Sequence, residues 1–166
     1  MNLGPPEIAA ALPHRYPILL LDRLTEIVPG ERLTALKAVT YAESWYAADL
    51  GAVAPGPEAY PVVLLVESWC QAAALLVAWD RPNPDVRTGA VMLGGAINGV
   101  EFGGDTRPGD VVEHRVRMLR ATADAAILTG ESVVAGEPVL KVAQFVMAMR
   151  PIDVLRPSLA GAGEPR

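Results

Sequence analysis

Apolar positions follow two rhythms along the chain. From Val62 to Trp79 they run almost unbroken, with Glu67 and Gln71 as polar interruptions near the middle. Such a run predicts a helix that is apolar around most of its circumference, which other elements must wrap. Pro61 stands at its start, where a missing N–H costs little. The run is marginal for a bilayer core roughly 30 Å thick. Glu67 and Gln71 favour the buried helix of a soluble protein, so no membrane span is expected.

Elsewhere the period is two, which is that of a strand. Between Val111 and Arg120, Val112, His114, Val116 and Met118 share one face, opposite Glu113, Arg115 and Arg117. Arg32 to Thr40 sets Leu33, Ala35 and Lys37 against Thr34, Leu36 and Ala38, and the preceding Ile18–Val28 ends at Pro29-Gly30. The two segments read as a hairpin. Ala90–Phe102, Ala125–Val134 and Val139–Met149 read as further strands, divided by turns at Pro108-Gly109-Asp110 and Gly136-Glu137-Pro138. Gly94, Gly95 and Gly99 imply close backbone approach or bulges in the first of these. Pro5–Leu12 reads as a short helix and Ser44–Ala48 as one helical turn, while 51–61 and 80–88 are loops.

These elements predict an α+β domain over residues 1–151: one long helix with a curved antiparallel sheet wrapped around it. Residues 152–166, rich in Pro, Gly, Ala and Ser, are expected to form a flexible tail. An open sheet edge or a remaining helix face favours dimerisation.

Composition narrows the function. A chain of 166 residues is the size of one domain. A net charge of −5 argues against nucleic-acid partners, whose phosphates call for clustered Lys and Arg. The single cysteine, Cys70, cannot form an internal disulfide and fits a reducing cytoplasm. His14 and His114 lie far apart, so no metal site is expected. Gly94-Gly95 followed by Gly99 lacks dinucleotide spacing and opens no helix, so no cofactor is expected. Residues 1–6 lack the basic and apolar pattern of a signal peptide.

Glu67 is the residue that asks for an explanation. Amid Val62–Val66 and Trp69–Val77, its carboxylate is expected to be heavily desolvated, with a raised pKa suited to donating a proton. Gln71, four residues on, shares its helix face. The structural alternative is a Glu at the helix end or at a dimer contact, with Gln71 as its partner. His14 reads as a hydrogen-bonded structural residue beside Pro13, His114 as an edge or partly covered residue, and Cys70 as a small core residue.

Two stretches resemble a known family. Leu12-Pro13-His14-Arg15-Tyr16-Pro17-Ile18-Leu19-Leu20-Leu21-Asp22-Arg23 is similar to the opening of bacterial β-hydroxyacyl-(acyl-carrier-protein) dehydratases of the hot-dog fold. Val66-Glu67-Ser68-Trp69-Cys70-Gln71-Ala72-Ala73 resembles the Glu-x-x-x-Gln-Ala-Ala stretch of their central helix, and Phe102 with Pro108-Gly109-Asp110 resembles the strand and turn that follow. The resemblance spans residues 9 to 151. It implies homodimers or trimers of dimers with an acyl tunnel at the dimer interface. There, a His of one subunit takes the α-proton of a β-hydroxyacyl thioester and a Glu of the other protonates the leaving hydroxyl.

Glu67 matches that Glu. The family's His, in a Gly-His-Phe-Pro-Gly segment before the helix, has no counterpart; its place falls on Asp49 or on Val53, depending on where the longer loop is gapped. Val62 replaces the Gly that begins the helix, and its backbone N–H remains available to polarise a thioester carbonyl. Glu101, Gly103 and Gly104 replace the basic residues around Phe102, and Arg107, Arg115, Arg117 and Arg120 could stand in for that patch. Trp45, Tyr46, Tyr60 and Trp69 are candidates to line the tunnel.

The resemblance therefore implies a dehydratase of fatty-acid or polyketide assembly acting on an acyl-carrier-protein or coenzyme A thioester. Glu67 would be the acid, and the base would come from a His-bearing homologous partner subunit or from Asp49. The alternatives are a hot-dog thioesterase that uses Glu67 as nucleophile or base, and a non-catalytic acyl-binding or partner-stabilising subunit.

Overall fold

The computed structural model of the chain describes residues 2–46 and 59–155. In order they form α1 (Pro5–Ala11), β1 (Arg23–Val28), β2 (Arg32–Ala38), a 3-10 turn at Ser44–Tyr46, α2 (Val62–Ala78), β3 (Ala90–Phe102), β4 (Val111–Ala121), β5 (Ala125–Val134), β6 (Glu137–Pro151) and α3 (Ile152–Leu155). The strands make one antiparallel sheet in the order β1-β2-β4-β5-β6-β3. The strand after α2 thus pairs with the last strand and ends up at the far edge. Bulges between Leu24 and Glu26, Gly94 and Ala96, Met118 and Arg120, and Leu128 and Gly130 add twist, which curls the sheet.

The concave face holds α2, which packs on β2, β4, β5 and β6. Leu65, Trp69, Ala72, Ala73, Leu75 and Leu76 point into that core, against Leu33, Val112, Val116, Leu128, Leu140 and Phe145. The near-continuous apolar run of α2 follows from this wrapping. At Gly130 the sheet and helix approach so closely that a Cβ would collide with the Arg115 carbonyl oxygen and lie 3.2 Å from the Trp69 ring. One turn of helix, α3, stands at the start of the expected tail, and Ile152 N–H ties it to the Gly89 carbonyl at 2.9 Å.

His114 departs from its expected place. It is completely buried, because β4 lies inside the sheet between β2 and β5. Ser68 Oγ donates its one proton to the Leu65 carbonyl at 3.0 Å, so it accepts from His114 Nε2–H at 2.9 Å. The bare Nδ1 then accepts from the Ser132 hydroxyl at 2.8 Å. Every polar atom of the ring is paired without a charge. Burial, with Lys37 adding to it, pushes its pKa down to about 3. His114 is thus a neutral pin between α2, β4 and β5.

No helix among the described residues is long and apolar enough to cross a membrane.

Candidate active site

Glu67 and Gln71 lie one turn apart on α2 and meet as their spacing predicts. Gln71 Nε2 donates to Glu67 Oε1 at 2.9 Å and to the Ile18 carbonyl at 2.7 Å, while Gln71 Oε1 accepts from Leu20 N–H at 2.9 Å. The Leu20 N–H needs an acceptor, which fixes the orientation of the amide and turns its N–H side toward the carboxylate. Gln71 itself is buried.

The heavy desolvation expected for Glu67 is not found. Its side chain keeps 36% of its exposure. The Glu67–Gln71–Ala74–Ala78 side of α2 faces a cavity of about 360 Å³ instead of the packed sheet. Met92, Gly94, Ile97, Phe145 and Met147 form the opposite wall. Small side chains, Ala74, Ala78 and Gly94, leave this space open beside otherwise tight packing.

His14 is brought to the same place. Arg15 Nη1 donates to the carbonyls of Leu12 at 2.7 Å and His14 at 2.6 Å, which folds the segment after α1 back on itself. The chain then crosses α2 at Gln71 and enters β1. His14 lines the cavity, and its Nε2 stands 3.4 Å from Glu67 Oε1. Burial is the largest influence on the ring and lowers its pKa below 6.5; Glu67 opposes this and Arg15 adds to it. Its sequence neighbours predict a structural role alone. The signal that could have singled it out was its place inside the motif that carries the family resemblance.

Cys70 also faces the cavity and is only partly buried, unlike a plain core residue. Burial, reinforced by Glu67, pushes its thiol up to about 12, so it stays protonated and unreactive at neutral pH.

The other candidates are spread over the fold. Val62 begins α2 and is more than half exposed; it does not line the cavity. Trp69 is fully buried and packs edge-on against Phe145, with ring centroids 5.9 Å apart. Tyr60 is buried before α2, edge-on to Trp45 and under Lys37 Nζ, 5.7 Å from the ring centroid. Lys37 is in turn paired with Glu43 at 3.0 Å. Trp69, Tyr60, Trp45 and Tyr46 therefore stand in the core and not on the cavity wall. Asp49 and Val53 lie outside the described residues. Of the arginines, Arg115 is engaged by Glu113 at 2.6 Å and Glu131 at 3.0 Å, and Arg107 by Asp105 at 3.3 Å. Among the described residues no cluster of three or more His, Cys, Asp or Glu could hold a metal ion.

The site thus presents a carboxyl group and an imidazole side by side at the mouth of an apolar cavity, with an amide fixing the carboxyl group. That arrangement can donate and accept protons at neighbouring atoms of a bound molecule.

Known proteins of similar sequence and fold bear on it. The FabA-like domain family matches residues 12–143. A 3-hydroxyacyl-(acyl-carrier-protein) dehydratase FabZ of Myxococcus xanthus is 36% identical over 143 residues, covering 82% of this chain and 88% of the relative. Among solved structures, the dehydratase heterocomplex ApeI:P of Xenorhabdus doucetiae superposes with a TM-score of 0.72 at 13% identity, covering 90% of this chain and 97% of that one. A hot-dog-like protein of Thermanaerovibrio acidaminovorans gives 0.57 at 17% identity, covering 76% and 86%. The α+β architecture read from the sequence is the hot-dog fold.

Proposed function

The chain belongs to the FabA-like family, and on that premise we propose that it removes water from a β-hydroxyacyl thioester, with Glu67 as the proton donor. The observation that carries this reading is the carboxyl group of Glu67, held by Gln71 and open to the cavity. A base takes the α-proton, the Cα–H electrons form the Cα=Cβ bond, and the β-hydroxyl leaves as water with the Glu67 proton. The product is a 2-enoyl thioester. Gln71 donates to Oε1 throughout, which steadies the carboxylate that the step creates. The first-turn N–H groups of α2, at Val62, polarise the thioester carbonyl, since a helix amino end carries unpaired donors. The apolar wall from Ala74 to Ala78 and Met92 to Ile97 takes the acyl chain.

The thioester is borne by acyl carrier protein or coenzyme A, and the working assembly is a dimer with a homologous hot-dog subunit. The sequence left two sources for the base, Asp49, outside the described residues, and a His-bearing partner. The role of Glu67 does not depend on which group is the base.

Product identity tests this reading. Mass spectrometry of the purified chain, alone and with a His-bearing relative, is run with a 3-hydroxyacyl pantetheine thioester. Loss of water from the intact thioester is expected. Release of the free acid means a thioesterase, and unchanged substrate in both mixtures means an acyl-binding subunit.

A further inference from the structure

Of the chain's two histidines, His114 is sealed inside the sheet and meets no substrate. His14 lines the cavity that Glu67 lines, and the two side chains keep 27% and 36% of their exposure. Nε2 of the one is 3.4 Å from Oε1 of the other. The contact is built. Arg15 fastens the loop through the carbonyls of Leu12 and of His14 itself, and the Gln71 amide binds the continuation of that loop, at Ile18 and Leu20, to the helix turn that carries Glu67. The α-hydrogen and β-hydroxyl on one face of a substrate are themselves neighbours. An acid and a base that remove them together must also be neighbours, as His14 and Glu67 are.

Resting on the dehydratase reading above, we propose that His14 is the base, acting within the same chain as Glu67.

The step balances within the pair. His14 Nε2 accepts the α-proton as Glu67 gives its proton to the departing hydroxyl. The imidazole becomes an imidazolium as the Glu67 carboxyl group becomes a carboxylate, so the charges arise together. The proton then returns from Nε2 to Oε1 across the same gap, which restores both groups without an outside donor. His14 Nδ1 is buried without a partner among the described residues, so the new carboxylate is the group that offsets the imidazolium charge. Of the other groups, the Arg15 guanidinium disfavours that charge, and the protonated Cys70 thiol and Arg81 line the same cavity. A homomeric assembly is thereby self-sufficient, although the loop before α2 has no His.

The test uses the purified full chain with a 3-hydroxyacyl pantetheine thioester. The wild-type chain alone is expected to form the enoyl thioester. His14→Gln is expected to lower kcat by about 100-fold or more, with KM within about threefold, the range typical of a lost general base. The acid limb of the wild-type pH profile, below 6.5, is expected to vanish in that variant, and His14→Asn serves if His14→Gln fails to fold. Mixed His14→Gln and Glu67→Gln chains are expected to stay inactive, because acid and base belong to one chain. Recovery in the mixture, or full turnover by a folded His14 variant, overturns the proposal. A wild-type chain that turns over only after a His-bearing relative is added also overturns it, and leaves the dehydratase reading intact. Free acid, or no product in either mixture, removes the dehydratase reading and this proposal with it.

Discussion

The Gln71 amide joins Glu67 to Leu20: its N–H donates to the carboxylate at 2.9 Å and its carbonyl accepts from the Leu20 N–H at 2.9 Å. One buried side chain therefore ties the central helix to the segment that carries His14. It sets the orientation of the Glu67 carboxyl group and the position of the loop at once.

Gln71→Leu conserves much of the volume and removes all three hydrogen bonds. The buried Leu20 N–H and the Ile18 carbonyl then lose their partner. A loss of about 2 kcal/mol in unfolding free energy is expected, the cost of stranding such groups. Urea denaturation checks it. Turnover is expected to fall further than stability alone explains, because Glu67 also loses its anchor.

His114 makes stability fall in acid. Its folded pKa, about 3, lies below the ordinary 6.5. Between those values the unfolded chain binds a proton that the folded chain refuses. The full contribution is present above 6.5 and is lost progressively as the pH falls toward 3, with a slope of up to about 1.4 kcal/mol per pH unit. Denaturation midpoints measured across this window are expected to drop. His114→Asn is expected to be less stable at neutral pH and to show a shallower acid slope.

Gly130→Ala is expected to cost about 3 kcal/mol, an overpacking penalty. The added methyl meets the Arg115 carbonyl on β4 and the Trp69 ring on α2, both parts of the rigid core. Thermal unfolding measures it directly.

With the acyl chain in the cavity as proposed, the depth of the cavity is expected to limit its length. Ala78 lines it 11 residues beyond Glu67, or ~16 Å along the helix. Ala78→Phe fills that end. Long-chain substrates are expected to lose about tenfold or more in kcat/KM while short ones keep theirs, the discrimination a few methylenes allow. A series of acyl pantetheine thioesters reads it out.

Local spacing made much of this legible. Glu67 and Gln71 are four apart on one helix, so their contact follows from the helical period. The limits read for Ala90–Phe102 and Ala125–Val134 agree with the observed strands. Long-range pairing was not legible. Nothing in β3 itself says that it joins β6 instead of its sequence neighbour β4. The same holds for His114, whose partners Ser68 and Ser132 come from two other elements. Alternation put it on the inner face without revealing that both ring nitrogens are satisfied there. The burial of Glu67 was overestimated because sequence neighbours on a helix do not share its face. Those on its own side are Gln71, Ala74 and Ala78, and their small or polar side chains leave room for the cavity. His14 meets Glu67 only because the loop after α1 is bound to α2, which no local pattern encodes.

In the proposed reaction Glu67 supplies the proton that leaves with the hydroxyl. The direct measurement is the rate of enoyl thioester formation by wild-type and Glu67→Gln chains, in the same assembly, alongside their thermal unfolding. A fall in kcat of about 100-fold or more with folding preserved is expected, since the amide keeps the shape but has no acidic proton. A folded Glu67→Gln chain that turns over at the wild-type rate would contradict it.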